Sequence, residues 1–191
     1  MHCHRSDSKK RLLILPCLAL AALGANAQPP REPLESPKSV VSQVVGLEPI
    51  VVTYHSPGVK GRAIWGELVP WGQNWRAGAN DKTTVQFSEK VKIGDAEIAA
   101  GTYGLYVFPH EATRWELVLN SDAAGSPNTF EKAKDVLRFT VKPQPAEFRE
   151  RLQWSIERFT DWPPFTAEIV LHWEKVRVVL PVEVLSDWKA P

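Results

Sequence analysis

From residue 39 onward, apolar side chains recur at every second position rather than every third or fourth. In "RWELVLN", Trp115, Leu117 and Leu119 fall on one side and Glu116, Val118 and Asn120 on the other. "DVLRFTVK" sets Leu137, Phe139 and Val141 against Arg138, Thr140 and Lys142, and "LQWSIER" alternates Leu152, Trp154 and Ile156 with Gln153, Ser155 and Glu157. "TAEIVLHW" places Ala167, Ile169, Leu171 and Trp173 together, and "KVRVVLPVEV" does the same with Val176, Val178, Leu180, Val182 and Val184. A period of two marks strands with one face on a core and one in water. Earlier strands are expected at 40–45, 50–55, 83–89 and 91–93. "IGDAEI" joins two short apolar pieces through Gly94-Asp95, a two-residue hairpin turn with glycine first. "GTYGLYVFP" is apolar on both faces, as a central strand would be, with Gly104 marking a bulge or a close backbone approach. The best helical candidate is "NTFEKAKDV", a turn or two at most. Nine or ten short strands without alternating helices predict an all-β fold, an antiparallel β-sandwich or a jelly-roll-like barrel.

The front of the chain follows another pattern. "MHCHRSDSKKRLLILPCLALAALGANAQ" has a basic head (Arg5, Lys9, Lys10, Arg11), an apolar run over 12–23 and an Ala25-Asn26-Ala27 end. These are the parts of a secretory signal peptide, with cleavage expected after Ala27. The run is too short to cross a bilayer, which takes roughly 20 residues. Lipidation at Cys17 is disfavoured by Pro16 and by the few apolar residues upstream. The organisation expected is therefore a signal at 1–27, a Pro-rich linker at 28–38 ("QPPREPLESPK"), one β domain at 39–186 and a tail at 187–191. The processed chain would be periplasmic or extracellular. Cys3 and Cys17 would leave with the signal, so its stability would rest on packing without a disulfide.

Charge also changes with processing. The leader's four basic residues and one acid, taken from 23 and 22, leave 19 and 21, a net of −2. That balance gives no electrostatic footprint for nucleic acid or an anionic membrane surface. No later run of about 18 apolar residues follows, so no membrane span is expected after cleavage.

One region has no strand rhythm. It runs over 56–81 and contains "IWGELVPWGQNWRAGAN", with Trp65, Trp71 and Trp75 at spacings of six and four. A connection of this length is generally functional or packed by its own side chains. Two readings fit. The indoles form a platform, with Arg62, Arg76, Asn80 and Asp81 as directional groups for a small molecule, a glycan or an envelope protein. Alternatively they plug the core, with the guanidiniums bonded to loop carbonyls or to Glu67 and Asp81, and Asn80 forming a turn. Trp is in place under either, because something must cover an open end of the β-structure.

Other chemistry is thinly represented. His55, His110 and His172 are the histidines left after processing, and they have no H-x-x-x-H or H-E-x-x-H spacing. His172 lies on the polar face of its strand. There is no G-x-S-x-G elbow, and "GVKGR" lacks the helix that a phosphate loop needs. No cofactor or metal is implied. A carboxylate pair for hydrolysis of cell-envelope material would be Glu67 and Asp81, which bracket the aromatic segment. "RERLQW" reads as an exposed strand face whose charges discourage edge pairing. The function expected is a non-catalytic binding module, with a cell-envelope hydrolase or a purely structural envelope protein as alternatives.

The stretch from "SPKSVVSQVV" through "SPGVKGRAIWGELVPWGQNWRAGANDKTTVQFS", with "AAGTYGLYVFP", "KDVLRFTVKP" and "IVLHWEKVRVVLPVEV", resembles the secreted bacterial DUF 2911 family. "PGVKGR" and "WRAGAN" at this separation carry the resemblance most specifically. It implies a single exported β-rich domain without an established activity. Asp81 supplies the acidic residue that usually follows Gly-Ala-Asn in the family. The chain departs after Asn120, where members often carry a Trp-Gly pair and "SDAAGSPNTF" has none.

Overall fold

The computed structural model describes residues 1, 32–111 and 113–189. The chain divides into Met1–Glu32 and Pro33–Pro191. Of the first unit only Met1 and Glu32 are described, so the expected signal peptide, its cleavage site, Cys3 and Cys17 lie outside the described residues.

The second unit is an open antiparallel β-sandwich. Among the described residues its strands are β1 (Lys38–Val45), β2 (Glu48–His55), β3 (Thr84–Phe87), β4 (Val91–Ile93), β5 (Ala96–Ile98), β6 (Gly101–His110), β7 (Arg114–Asn120), β8 (Asp135–Val141), β9 (Gln144–Glu157) and β10 (Phe165–Val184). One sheet has the order β1-β2-β3-β6-β7-β8 and the other β5-β4-β10-β9. Neither closes on itself, which decides for a sandwich over a barrel. No helix among the described residues is long and apolar enough to cross a membrane.

The alternation explains the register. Trp115, Leu117 and Leu119 of β7 and Leu152, Trp154 and Ile156 of β9 all turn into the shared core. β10 is a single strand where the pattern suggested two, and the pattern also shows why. Its inward residues are odd-numbered up to Trp173 and even-numbered from Val176 onward. One extra residue must absorb that change of parity, and pairing with β9 shifts on either side of Glu174, whose φ is 55°. The bulge keeps one long strand facing the core along its whole length.

β6 is buried on both faces, as its composition predicted. Tyr103, Leu105 and Val107 join the core. On the other face Phe130 packs edge-on to Tyr106 and Phe108 at 5.0 and 5.3 Å. The Gly94-Asp95 turn joins β4 to β5 with Ile93 opposite Ala96, and Gly94 has φ 58°. Trp115, Trp154 and Trp173 are among the largest fully buried side chains. Each contributes on the order of 4–6 kcal/mol of apolar transfer before ordering costs.

The helical candidate is a single turn, within expectation, while the tail differs from it. "NTFEKAKDV" makes only a 3-10 turn at Lys132–Lys134. Side-chain and backbone donors capture the carbonyls a longer helix would need: Asn120 Nδ2 donates to Glu131 O, and Ser121 N to Lys134 O. Trp188, placed in the tail, packs instead against the core with Phe165 at 5.9 Å.

Candidate functional site

The aromatic excursion leaves β2 and returns as β3, and it borrows backbone partners from both sheets on the way. Gly58 bridges Arg151, with Val59 N donating to Glu150 O and Leu152 N to Pro57 O at 2.8 and 3.0 Å. This extends the second sheet beyond β9. A Cβ at Gly58 would lie 2.9 Å from the Glu150 carboxylate, which would have to swing aside. Further on, Trp75 and Val107 exchange both backbone hydrogen bonds at 2.9 Å, and Gly72 N donates to Pro109 O at 2.7 Å. That continues the ladder of β6 where β3 stops. Backbone pairing of this kind satisfies the loop's polar groups while it covers the end of the sandwich.

Between these tethers the excursion plugs the core. Ile64, Val69 and Ala77 are buried, and Trp65 sits at the centre of an indole cluster. Its ring lies 4.6 Å from Trp115 and 5.8 Å from both Trp75 and Trp173, while Trp75 and Trp173 stack at 5.7 Å.

"WRAGAN" is a turn wrapped around a buried histidine. Ala77 has φ 53°, and its carbonyl accepts from Thr83 Oγ1 and from Trp154 Nε1 at 3.1 and 3.0 Å. Asn80, also left-handed at φ 52°, donates to Ser36 O at 3.0 Å and lies 3.1 Å from His55 Nδ1. His55 Nε2 meets Asp81 at 3.1 Å, with the aspartate side chain 74% exposed. Asn80 and Asp81 therefore fix the turn and hold the segment before β1 against it.

Beside this turn lies a cavity of about 420 Å³, whose walls include Lys60, Arg62, Trp75, Arg76, Tyr106 and Trp173. Glu35, Ser36, Pro127 and Asn128 complete much of its rim. Of the seven residues singled out from the sequence, Arg62, Trp75 and Arg76 reach the cavity. Trp65 lies beneath them in the indole cluster. Trp71 is exposed, packed over Gly66, and borders a separate shallow surface with His110 and Arg114. Glu67 and Asp81 do not line the cavity. Sequence reasoning did not select Lys60, Tyr106, Asn128 or Trp173. Tyr106 left one signal, as an aromatic on the second apolar face of β6.

The polar groups of the wall are mostly donors. Arg62 donates from Nε to Val59 O at 3.1 Å and from Nη2 to Gly58 O at 2.6 Å. Arg76 makes only long contacts, from Nη1 to Pro127 O at 3.4 Å and to Asn128 Oδ1 at 3.3 Å. Its buried Nε has no acceptor among the described residues, and neither have the indole N–H groups of Trp65 and Trp173. A buried donor without an acceptor costs about 1–3 kcal/mol. Among the described residues no carboxylate pairs with Arg62 or Arg76, whereas Lys60 pairs with Glu35 at 3.3 Å.

The wall opposite Arg76 comes from the loop that follows Asn120. Its anchor is Asp122, 2.9 Å from the buried Lys82 ammonium. The Lys82 hydrogen bond holds this carboxyl below the usual carboxylate range against burial, which raises it; the Lys82 and Lys134 charges and the Gly125 N–H add to the lowering. No group of three or more His, Asp or Glu among the described residues is arranged to hold a metal ion.

Fold and site together describe a β-sandwich with a loop-walled cavity at one end. The profile of the family described as "Protein of unknown function (DUF2911)" matches residues 36–182, and the chain belongs to that family. No curated protein and no solved structure matches it.

Proposed function

We propose that the chain is an exported, non-catalytic module that binds a small molecule or a short glycan in the cavity beside Trp75 and Trp173. The reading rests chiefly on one observation: the Trp75 ring and two guanidiniums without a carboxylate partner among the described residues converge on a concave site of ordinary ligand size. Ligand cavities span about 300–1,000 Å³ and combine apolar walls with a few placed polar groups. The basic head, apolar run and Ala25-Asn26-Ala27 end support export. The hydrolase reading draws nothing from the cavity, because Glu67 and Asp81 do not border it.

The test is native mass spectrometry of the processed chain against a panel of neutral and charged metabolites and oligosaccharides. Asn74 is exposed and lines the cavity, so Asn74→Trp places bulk in the wall without touching the core. Saturable binding of a panel member, lost in Asn74→Trp and kept in Trp71→Ser, is the expected result. Binding that survives Asn74→Trp, or is lost only with Trp71, sends the ligand elsewhere and refutes the reading.

A further inference from the structure

We infer that the cavity selects a ligand carrying an oxyanion, a carboxylate or a phosphate, held by Arg76 and Arg62 with its body against Trp75. The inference rests on the binding reading above and names the chemistry of its ligand. Three cations line the cavity, Lys60, Arg62 and Arg76, against the single carboxylate of Glu35. Lys60 and Glu35 pair with each other, which leaves two guanidiniums whose protein partners are carbonyl and amide oxygens.

The two arginines are not equivalent. Arg62 spends Nε and Nη2 on loop carbonyls and is thereby fixed in place. Arg76 keeps a buried, unmatched Nε and two contacts at the long end of hydrogen-bond range. A guanidinium presents its donors as a planar fork suited to two oxygens of one carboxylate or phosphate, and such charge-assisted bonds are roughly twice as strong as neutral ones. A purely apolar ligand would leave the free donors of both guanidiniums unmet. A cation would face an excess of like charge.

The probes share one body and differ in charge: glucose, glucuronate and glucose 6-phosphate, with inorganic phosphate as the bare oxyanion. Binding to the processed chain is followed by tryptophan emission and by calorimetry at low ionic strength. Glucuronate, glucose 6-phosphate or both should bind at least about tenfold tighter than glucose, the worth of one charge-assisted hydrogen bond. Which of the two binds tighter assigns the oxyanion to a carboxylate or a phosphate. Binding of inorganic phosphate alone assigns the site to the free ion. Arg76→Gln should remove the preference, Arg76→Lys should restore part of it, and Arg62→Gln should reduce it.

Equal affinity for glucose and the charged sugars overturns the inference. So does a preference that survives in both Arg76→Gln and Arg62→Gln, or no saturable response to any oxyanion. The binding reading is judged apart from this: a neutral panel compound whose mass shift is lost in Asn74→Trp keeps the cavity as a site while the oxyanion falls.

Discussion

Two of the aromatic clusters among the described residues differ in their surroundings: one opens onto a cavity and the other lies at the surface. At the loop-covered end, Trp65, Trp75, Trp115 and Trp173 pack into the core and open onto a cavity. Between β9 and β10, Phe159 and Trp162 stand 47% and 62% exposed, with Trp162 edge-on to Trp188 at 5.0 Å. The second cluster's segment is held by local bonds, Thr160 Oγ1 to Pro164 O and Thr166 N to Thr160 Oγ1, both 2.8 Å. The first is stitched to both sheets by backbone pairing and brings arginines and unmatched donors to one place. Aromatic surface is thus common to both. Concavity and polar groups without protein partners set the first apart.

Substitutions can break this contrast, and the largest effect belongs to the buried indoles. Trp173→Ala removes a stacked, fully buried ring, and should lower unfolding free energy by about 3–5 kcal/mol in denaturant titrations. A loss below about 1 kcal/mol would mean the cluster is not core.

Gly78→Ala comes next. The new Cβ would lie 2.7 Å from Thr83 Oγ1 and 3.1 Å from the His55 carbonyl, so the turn must shift at a cost of about 1–3 kcal/mol. The shift should also disturb binding, since Arg76 and Ala79 flank this residue in the wall. Wild-type stability in the variant would show that the turn is looser than its contacts imply.

The Asp122 anchor gives a pH-dependent effect. Its folded carboxyl titrates below the ordinary value, so its contribution is complete above the unfolded pKa of about 3.9 and disappears as pH falls through the lower folded value. Acid unfolding of Asp122→Asn should accordingly be less steep below about pH 4 than that of the wild type. Identical acid limbs would remove Lys82 as the cause.

Trp162→Ser should change stability by no more than about 0.5 kcal/mol, as for an exposed position, and leave ligand binding untouched. A change in either would give the surface cluster a role that its geometry does not suggest.

The sandwich was legible because strands expose their inward face through parity, and Trp115, Trp154 and Trp173 all obeyed it. The bulge at Glu174 was present in the same pattern as a slip of one position. The site was legible only in part. Arg62, Trp75 and Arg76 reach the cavity from a segment already conspicuous for lacking rhythm. Asn80 and Asp81 looked equally directional, yet His55 and Ser36 claim them, and no local pattern reveals partners 25 or 44 positions away. Asn128 and Trp173 enter from separate strands and loops, so only three-dimensional closure brings them to Arg76. The plug and platform readings were never exclusive. Trp65 packs in the core, and Trp75 both packs there and lines the cavity.

The most direct measurement is a crystal structure of the processed chain with glucuronate and, separately, glucose 6-phosphate. Density for at least one of them should place its oxyanion within hydrogen-bond reach of Arg76, with the sugar ring over Trp75. Ligand density at the Trp71 surface or at Trp162, with the cavity between Arg62 and Arg76 filled by ordered solvent alone, would contradict the account.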